Sequence, residues 1–139
     1  ITLVAEPGQD VAEAVTQLAR IGVDELAGVV RRLGDPATQT YGLLELRAFA
    51  RRVAEPGARV LDVRAPSEWE QARLGWAVER FLPDLFTQGV PFEPGEPVYV
   101  ACASGRRASI AASELARQGY EAVALDGAGI PEVVEELKT

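Results

Sequence analysis

The chain has 139 residues, of which 47% are hydrophobic and 25% are charged, a balance typical of a folded globular domain rather than of a disordered or membrane-spanning chain. Its formal net charge of −7 argues against general affinity for nucleic acid or anionic membrane. One cysteine and no histidine exclude an internal disulfide, Cys-His and Ser-His catalytic pairs, and histidine or thiolate-cage metal sites. We therefore expect a cytoplasmic protein without a metal or cofactor.

The first part of the chain predicts a strand, a helix and a second strand. Residues 1–5 are predicted as the first strand, residues 10–21 as an amphipathic helix that ends at Gly22, and residues 23–30 as the second strand. The charged, turn-rich segment that follows is typical of a connection between domains. It places a boundary near residues 31–38.

From residue 39 onward, predicted strands and helices alternate with short connections. The predicted helices are 43–53, a short helix through Gln71 with Ser67 as its N-cap, one opened by Pro83, 107–118 and 131–137; the predicted strands are 59–64, 77–82, 98–101 and 122–125. This alternation predicts an α/β fold with a central parallel sheet and helices on both faces. Functional loops are expected at the carboxyl ends of the strands.

Chemistry is predicted where the strand 98–101 ends. Cys102 follows this strand and precedes a helix, so backbone N–H groups and the positive end of the helix dipole favour its thiolate form. Arg106 and Arg107 lie in the same turn and act in the same direction. Gly105 stands where such a loop needs a positive φ or an unhindered backbone. A lone cysteine is more often a small core residue, but these neighbours favour a nucleophile.

The chain also resembles itself. A shift of 97 positions aligns Ala5 with Cys102 and residues 18–22 with 115–119, with identity at six of the 25 positions from Thr2 to Leu26. Because strand, turn, helix and glycine stop share one register, we interpret residues 1–33 as the back half of a degenerate second copy. Residues 34–38 are then a linker and residues 39–139 a complete domain. We expect the front half of the degenerate copy to precede Ile1 in a longer chain.

Residues 39–130 resemble a rhodanese-type sulfurtransferase domain. The run Cys102-x-x-Gly105-x-Arg107-Ala108 matches the family's active-site loop residue for residue, and Leu61-Asp62-Val63-Arg64 followed by Glu68-Trp69 matches its second motif. Where family members usually have Gly-His-Ile-Pro-Gly-Ala, this chain has residues 72–77 without the histidine, and Gly127-Ala128 replaces the paired glycines near the carboxyl end. These departures concern substrate and partner contacts rather than the chemistry of the loop.

The resemblance implies a sulfurtransferase that moves a sulfane sulfur through a Cys102 persulfide. The donor would be anionic, such as thiosulfate or glutathione persulfide, and the acceptor a thiol or cyanide. The loop around the sulfur would be formed by Ala103, Ser104, Gly105, Arg106 and Arg107, with Arg106 turned toward substrate and Arg107 clamping the loop. Asp62, Arg64 and Glu68 are expected as supports behind it, with an Arg64–Glu68 ion pair across the turn; Trp69 and Trp76 are expected to be packing residues.

Two alternatives stay open. A cysteine-dependent phosphatase of related fold has one residue more between its cysteine and arginine, whereas four residues separate Cys102 from Arg107. A non-catalytic rhodanese-like module that binds a partner or regulates a fused enzyme would have no need of the thiol.

A degenerate unit before a complete one also resembles the C-terminal part of bacterial fusions with a metallo-β-lactamase-fold hydrolase. Such a hydrolase, fused or separate, is therefore an expected partner.

Overall fold

The computed structural model describes residues 1–31 and 40–139. The chain divides into two compact units, Ile1–Thr38 and Gln39–Thr139. The linker that the sequence predicts at residues 34–38 lies outside the described residues. Within the described ranges, every helix is too short or too polar to cross a membrane.

The first unit consists of β1 (Thr2–Val4), α1 (Val11–Arg20) and β2 (Gly28–Val30), and its two strands pair in parallel. The helix begins after Asp10, whose carboxylate accepts the Glu13 N–H at 3.0 Å and so caps a free donor. The strand predicted at 23–30 is confined to its last three residues. Residues 23–27 form no strand. At their start, the Val23 N–H donates to the Leu18 carbonyl at 2.9 Å, a bond that closes the end of α1.

The second unit is an α/β domain with all of its strands parallel. Its elements are β3 (Gly42–Leu44), α2 (Leu46–Val53), β4 (Arg59–Asp62), α3 (Pro66–Trp69), β5 (Val78–Glu79), α4 (Leu82–Gln88), β6 (Val98–Ala101), α5 (Arg106–Arg117), β7 (Ala122–Leu125) and α6 (Ile130–Glu136). The strands form one sheet in the order β3-β7-β6-β4-β5. The predicted fold class is confirmed, and β6 is the central strand.

Alternation along β6 assigns its side chains to the two faces of the sheet. Val98 and Val100 pack into the cluster that α4 and α5 cover, whereas Tyr99 and Ala101 pack into the cluster that α2 and α6 cover. Both valines are fully buried. Because Cys102 continues the even-numbered series, its side chain belongs to the α5 face. The period of the strand thus directs the thiol toward the helix that follows it.

One predicted helix is wrong in its first turn. The helix predicted at 43–53 begins only at Leu46, and Gly42–Leu44 instead forms the edge strand β3. Leu44 packs into the core while Leu43 is 54% exposed, which is the alternation of a half-buried strand. The three-residue spacing of Leu43 and Leu46 fits a helix. Pairing with β7 overrides this local pattern and makes Gly42–Leu44 a strand.

Smaller corrections concern the ends of elements. Ser67 is not an N-cap, because α3 starts at Pro66 with Ala65 in the capping position. Proline suits the first turn of a helix, where its missing N–H would have no partner. The strand predicted at 77–82 shortens to β5, since Leu82 already belongs to α4. The helix after the cysteine begins at Arg106, one residue earlier than predicted.

Candidate active site

Cys102 lies where the central strand of the sheet ends. The strands on either side, β4 and β7, are parallel to β6, so their carboxyl ends meet at the same edge. The Cys102 side chain is buried, with 1% of the residue exposed, and packs among apolar residues of the α5 face. Its Sγ accepts the Gly105 N–H at 3.2 Å. A backbone donor is therefore already directed at the sulfur.

The loop after Cys102 is a tight turn with exposed outer residues. Gly105 has φ +91°, and a Cβ atom there would lie 3.1 Å from the Leu125 carbonyl oxygen, so both conformation and space require glycine. Ala103 and Ser104 are exposed, and so is Arg106 at the first position of α5. Arg106 is therefore the cation of this loop that faces solvent.

Arg107 is held by a carboxylate from a distant part of the chain. Its Nη1 donates to Glu68 Oε2 at 2.6 Å and its Nη2 to Glu68 Oε1 at 2.8 Å, a two-point contact typical of arginine with carboxylate. These bonds lower the pKa of Glu68 from 4.5 to about 2. They also raise the pKa of Arg107, with a smaller contribution from the adjacent Cys102. Both groups are therefore charged over the whole physiological range.

The second motif builds a buried ion pair behind this clamp. Asp62 and Arg64 are 1% and 2% exposed, and Arg64 Nη2 donates to Asp62 Oδ2 at 2.7 Å. Arg64 Nε also donates to the Asp62 carboxylate, at 3.0 Å to Oδ1. The backbone accepts the other bonds, with Nη1 donating to the Glu68 carbonyl at 3.2 Å and Nη2 also to that of Ala72. A buried charge needs such full pairing, because an unpaired one is strongly destabilising.

The predicted ion pair between Arg64 and Glu68 is wrong. The Arg64 guanidinium pairs with Asp62, and it meets Glu68 only at the backbone oxygen. The Glu68 carboxylate faces the other way, toward Arg107, and also accepts the Ala65 N–H at 2.9 Å. Asp62 pairs with Arg64 because β4 ends at Asp62, Arg64 follows two residues later, and both side chains are buried together. Glu68 therefore links the β4–α3 turn to the loop that carries Cys102.

The two tryptophans differ in their surroundings. Trp69 is half-buried on α3, next to Glu68. Trp76 is 53% exposed, and its Nε1 donates to the Val53 carbonyl at 3.1 Å. This hydrogen bond connects the segment before β5 to the end of α2, and not to the cysteine loop.

The sequence pattern does not predict the contact between the cysteine loop and the turn between β7 and α6. The Ile130 N–H donates to the Cys102 carbonyl at 2.9 Å, and the Gly129 backbone lies directly against Ala103. In the sequence, Gly129 stands before a proline-started helix and predicts only a helix start. The contact joins residues far apart in the chain, so local pattern carries no sign of it.

Comparison with known proteins supports one family. The rhodanese-like domain family matches residues 45–135, which is more than half of the chain. The "Putative sulfur carrier protein YrkF" of Bacillus subtilis (strain 168) is 30% identical over 81 residues, and the match covers 58% of this chain and 44% of YrkF. The chain thus spans less than half the length of that relative.

Solved structures share the fold. A rhodanese-related protein from Thermoplasma volcanium superposes with a TM-score of 0.61 at 25% identity, over 69% of this chain and 93% of that one. The thiosulfate sulfurtransferase of Pseudomonas aeruginosa matches 96% of this chain and 28% of its own length, with a TM-score of 0.57 and 21% identity. The match of the family over residues 45–135 shows that the chain belongs to the rhodanese-like domain family.

Proposed function

We propose that the chain is a sulfurtransferase in which Cys102 carries sulfur as a persulfide. The observation that carries the proposal is the placement of Cys102 Sγ at the end of β6, 3.2 Å from the Gly105 N–H and beside Arg107. A thiolate and a persulfide are both anions, and backbone donors at the start of a helix stabilise either one. Membership of the rhodanese-like domain family and similarity to the sulfur carrier protein YrkF support the same chemistry.

The first half-reaction transfers sulfur to the enzyme. The Cys102 thiolate attacks the outer sulfur of a donor such as thiosulfate; a new S–S bond forms, the S–S bond of the donor breaks, and sulfite leaves with the electron pair. Arg106 is exposed at the loop and attracts the anionic donor. Because Cys102 is 1% exposed, the donor has to approach Sγ past Ala103 and Ser104, the exposed residues of the loop.

The second half-reaction regenerates the thiolate. A nucleophilic acceptor, cyanide or a thiolate, attacks the outer persulfide sulfur; the Cys102 S–S bond breaks and its electron pair returns to Sγ. Splitting the transfer into two displacements at one sulfur predicts ping-pong kinetics. Arg107 contributes by holding the loop through Glu68, since both of its terminal nitrogens are engaged there.

The burial of Cys102 favours one alternative, a rhodanese-like module that binds partners without catalysis. Such a module does not require the thiol to be accessible, and Cys102 is 1% exposed. A phosphatase is less well supported, because the spacing from Cys102 to Arg107 leaves the loop one residue short of the phosphate-binding type.

Three measurements separate these possibilities. Incubation with thiosulfate should add one sulfur atom to the intact protein by mass spectrometry, and a Cys102→Ala variant should stay unmodified. Thiocyanate formation from thiosulfate and cyanide measures turnover, and phosphate release from an aryl phosphate is the matched control. An unmodified wild-type protein contradicts the sulfurtransferase proposal and favours the binding module.

We also propose the domain organisation that the internal likeness predicts, with residues 1–33 as a degenerate rhodanese-like unit and residues 39–139 as the active one. The lone thiol suits a reducing cytoplasm. A metallo-β-lactamase-fold hydrolase, fused or separate, stays a predicted partner. Co-purification of the active unit with such a hydrolase from the source cell tests that partner.

A further inference from the structure

The turn between β7 and α6 forms the backing of the cysteine loop. Two contacts join them, both through backbone: the Ile130 N–H donates to the Cys102 carbonyl at 2.9 Å, and the Gly129 Cα packs against Ala103. On the other side, Gly105 approaches the Leu125 carbonyl and the Gly127 nitrogen. The loop is therefore supported at its start and at its end by one turn.

Gly129 is required here by space and not by conformation. Its φ of −137° and ψ of −179° are extended backbone that any residue adopts. A Cβ atom at this position would overlap the Ala103 carbonyl oxygen and lie 2.5 Å from its carbonyl carbon and 2.8 Å from its Cα. The obstacle is rigid backbone, so the loop itself would have to move by about 1 Å to reach normal contact distance.

We propose that Gly129 is a positioning residue for the sulfur chemistry of Cys102. It allows the β7–α6 turn to approach close enough to hold Ala103, and thereby keeps the Gly105 N–H directed at Sγ. The family resemblance places paired glycines at 127 and 128, whereas this chain has Ala128. The glycine that the loop contact needs is the next residue. The role in catalysis rests on the proposed function, but the positioning itself does not.

The variant Gly129→Ala tests the proposal, with Gly28→Ala as its matched control. Gly28 lies in the unit without the cysteine, its φ is outside the left-handed region, and a Cβ atom there would meet nothing within 4 Å. In Gly129→Ala, we expect the amide proton resonance of Gly105 to move as its bond to Sγ is lost. We also expect kcat/KM for persulfide formation from thiosulfate to fall by about 100-fold, as for a 1 Å displacement of a reacting group.

The control variant should leave both readouts unchanged. A purely structural glycine would lower the melting temperature of Gly129→Ala but leave the Gly105 resonance and the persulfide rate as in the wild type, and that result would overturn the proposal. The resonance reports on the loop whether or not the wild-type protein transfers sulfur. Failure of the proposed function and failure of the positioning role are therefore distinguishable.

A measurement on the native protein applies even if Gly129→Ala does not fold. The Ile130 N–H should exchange with solvent as slowly as the Val63 N–H, which donates to the Ala101 carbonyl at a similar distance of 3.0 Å. Slow exchange supports a turn that holds the loop throughout native fluctuations. Exchange of Ile130 at the rate of an exposed turn would show that the turn does not hold the loop, and would contradict the proposal.

Discussion

The strand-to-helix turns after β6 and β1 are similar in backbone and different in surroundings. Gly105 and Gly8 both have φ +91°. At the far ends of the two helices, the Tyr120 N–H donates to the Leu115 carbonyl at 3.0 Å, and the Val23 N–H to the Leu18 carbonyl at 2.9 Å. Residues 97 positions apart thus adopt the same local geometry, which supports the proposal of a degenerate copy.

The two turns differ in what lies behind them. A Cβ atom on Gly105 would meet the Leu125 carbonyl oxygen at 3.1 Å, whereas one on Gly8 would meet nothing within 4 Å. Helix α5 buries five residues, and α1 buries none. Neighbouring residues are thus sufficient for the shape of the turn, but the surroundings of Cys102 also come from its sheet, the Glu68–Arg107 pair and the turn between β7 and α6.

The largest expected effect comes from moving the thiol between the two turns. A Cys102→Ala variant should lose persulfide formation completely. Adding Ala5→Cys to this variant should not restore it, because Ala5 precedes a turn without an arginine and without the Glu68 clamp. Intact mass after thiosulfate treatment measures both results. Sulfur on the thiol introduced at position 5 would show that the backbone turn alone is sufficient.

The next largest effect is expected at Gly105 and Gly8, the glycines of the two turns, which both have φ +91°. Gly105→Ala should lower the free energy of unfolding by about 2 to 5 kcal/mol, because a left-handed φ and a crowded Cβ act together. Gly8→Ala faces the same φ in open space, so we expect a loss of about 1 to 2 kcal/mol. Urea unfolding followed by circular dichroism compares the two. Equal losses would contradict the difference in packing.

Loss of the Glu68–Arg107 pair should destabilise the loop without unfolding the domain. Glu68→Gln replaces a charge-assisted pair of hydrogen bonds, for which we expect a loss of about 1 to 3 kcal/mol at pH 7, together with slower persulfide formation. Glu114→Gln is the matched control, because Glu114 makes a similar pair with Arg117 at 2.6 Å within α5, away from the Glu68 pair. The control should leave the persulfide rate unchanged.

The same clamp predicts a dependence on pH. The hydrogen bonds from Arg107 lower the pKa of Glu68 from 4.5 to about 2 in the folded chain. Because the folded pKa is the lower one, the stabilisation is fully present above about pH 4.5 and is lost as the pH falls toward 2. The difference in stability between wild type and Glu68→Gln should therefore shrink over that range. A difference that stays constant from pH 7 to 2 would exclude the charged clamp.

The smallest effect is expected at the helix ends. Gly22 and Gly119 have φ +81° and +91°, and neither has an atom within 4 Å of a Cβ. Alanine at either position should lower stability by about 1 kcal/mol through backbone strain alone. Similar values in both variants would support equivalent helix stops, and thermal unfolding of the two proteins measures them.

Much of the fold was predictable because alternation and turn residues act locally. The parallel α/β arrangement, the strand before Cys102 and the glycine stop of α5 all follow from residues close in the chain. The strand β3 was not predictable, since the three-residue spacing of Leu43 and Leu46 is that of a helix and only pairing with β7 makes Gly42–Leu44 a strand. The start of α3 at Pro66 rather than Ser67 was missed because serine is the stronger capping residue in general.

The sequence by itself determined the chemistry of the loop: one thiol, a glycine three residues later and two arginines at the start of a helix, all within six residues. Only the tertiary structure decided which groups hold that loop. Glu68 lies 39 positions from Arg107, and Ile130 and Gly129 reach Cys102 and Ala103 from the turn after the next strand. Local residues specify backbone conformation, whereas the pairing of charges and the close approach of two backbones depend on how distant strands are ordered in the sheet.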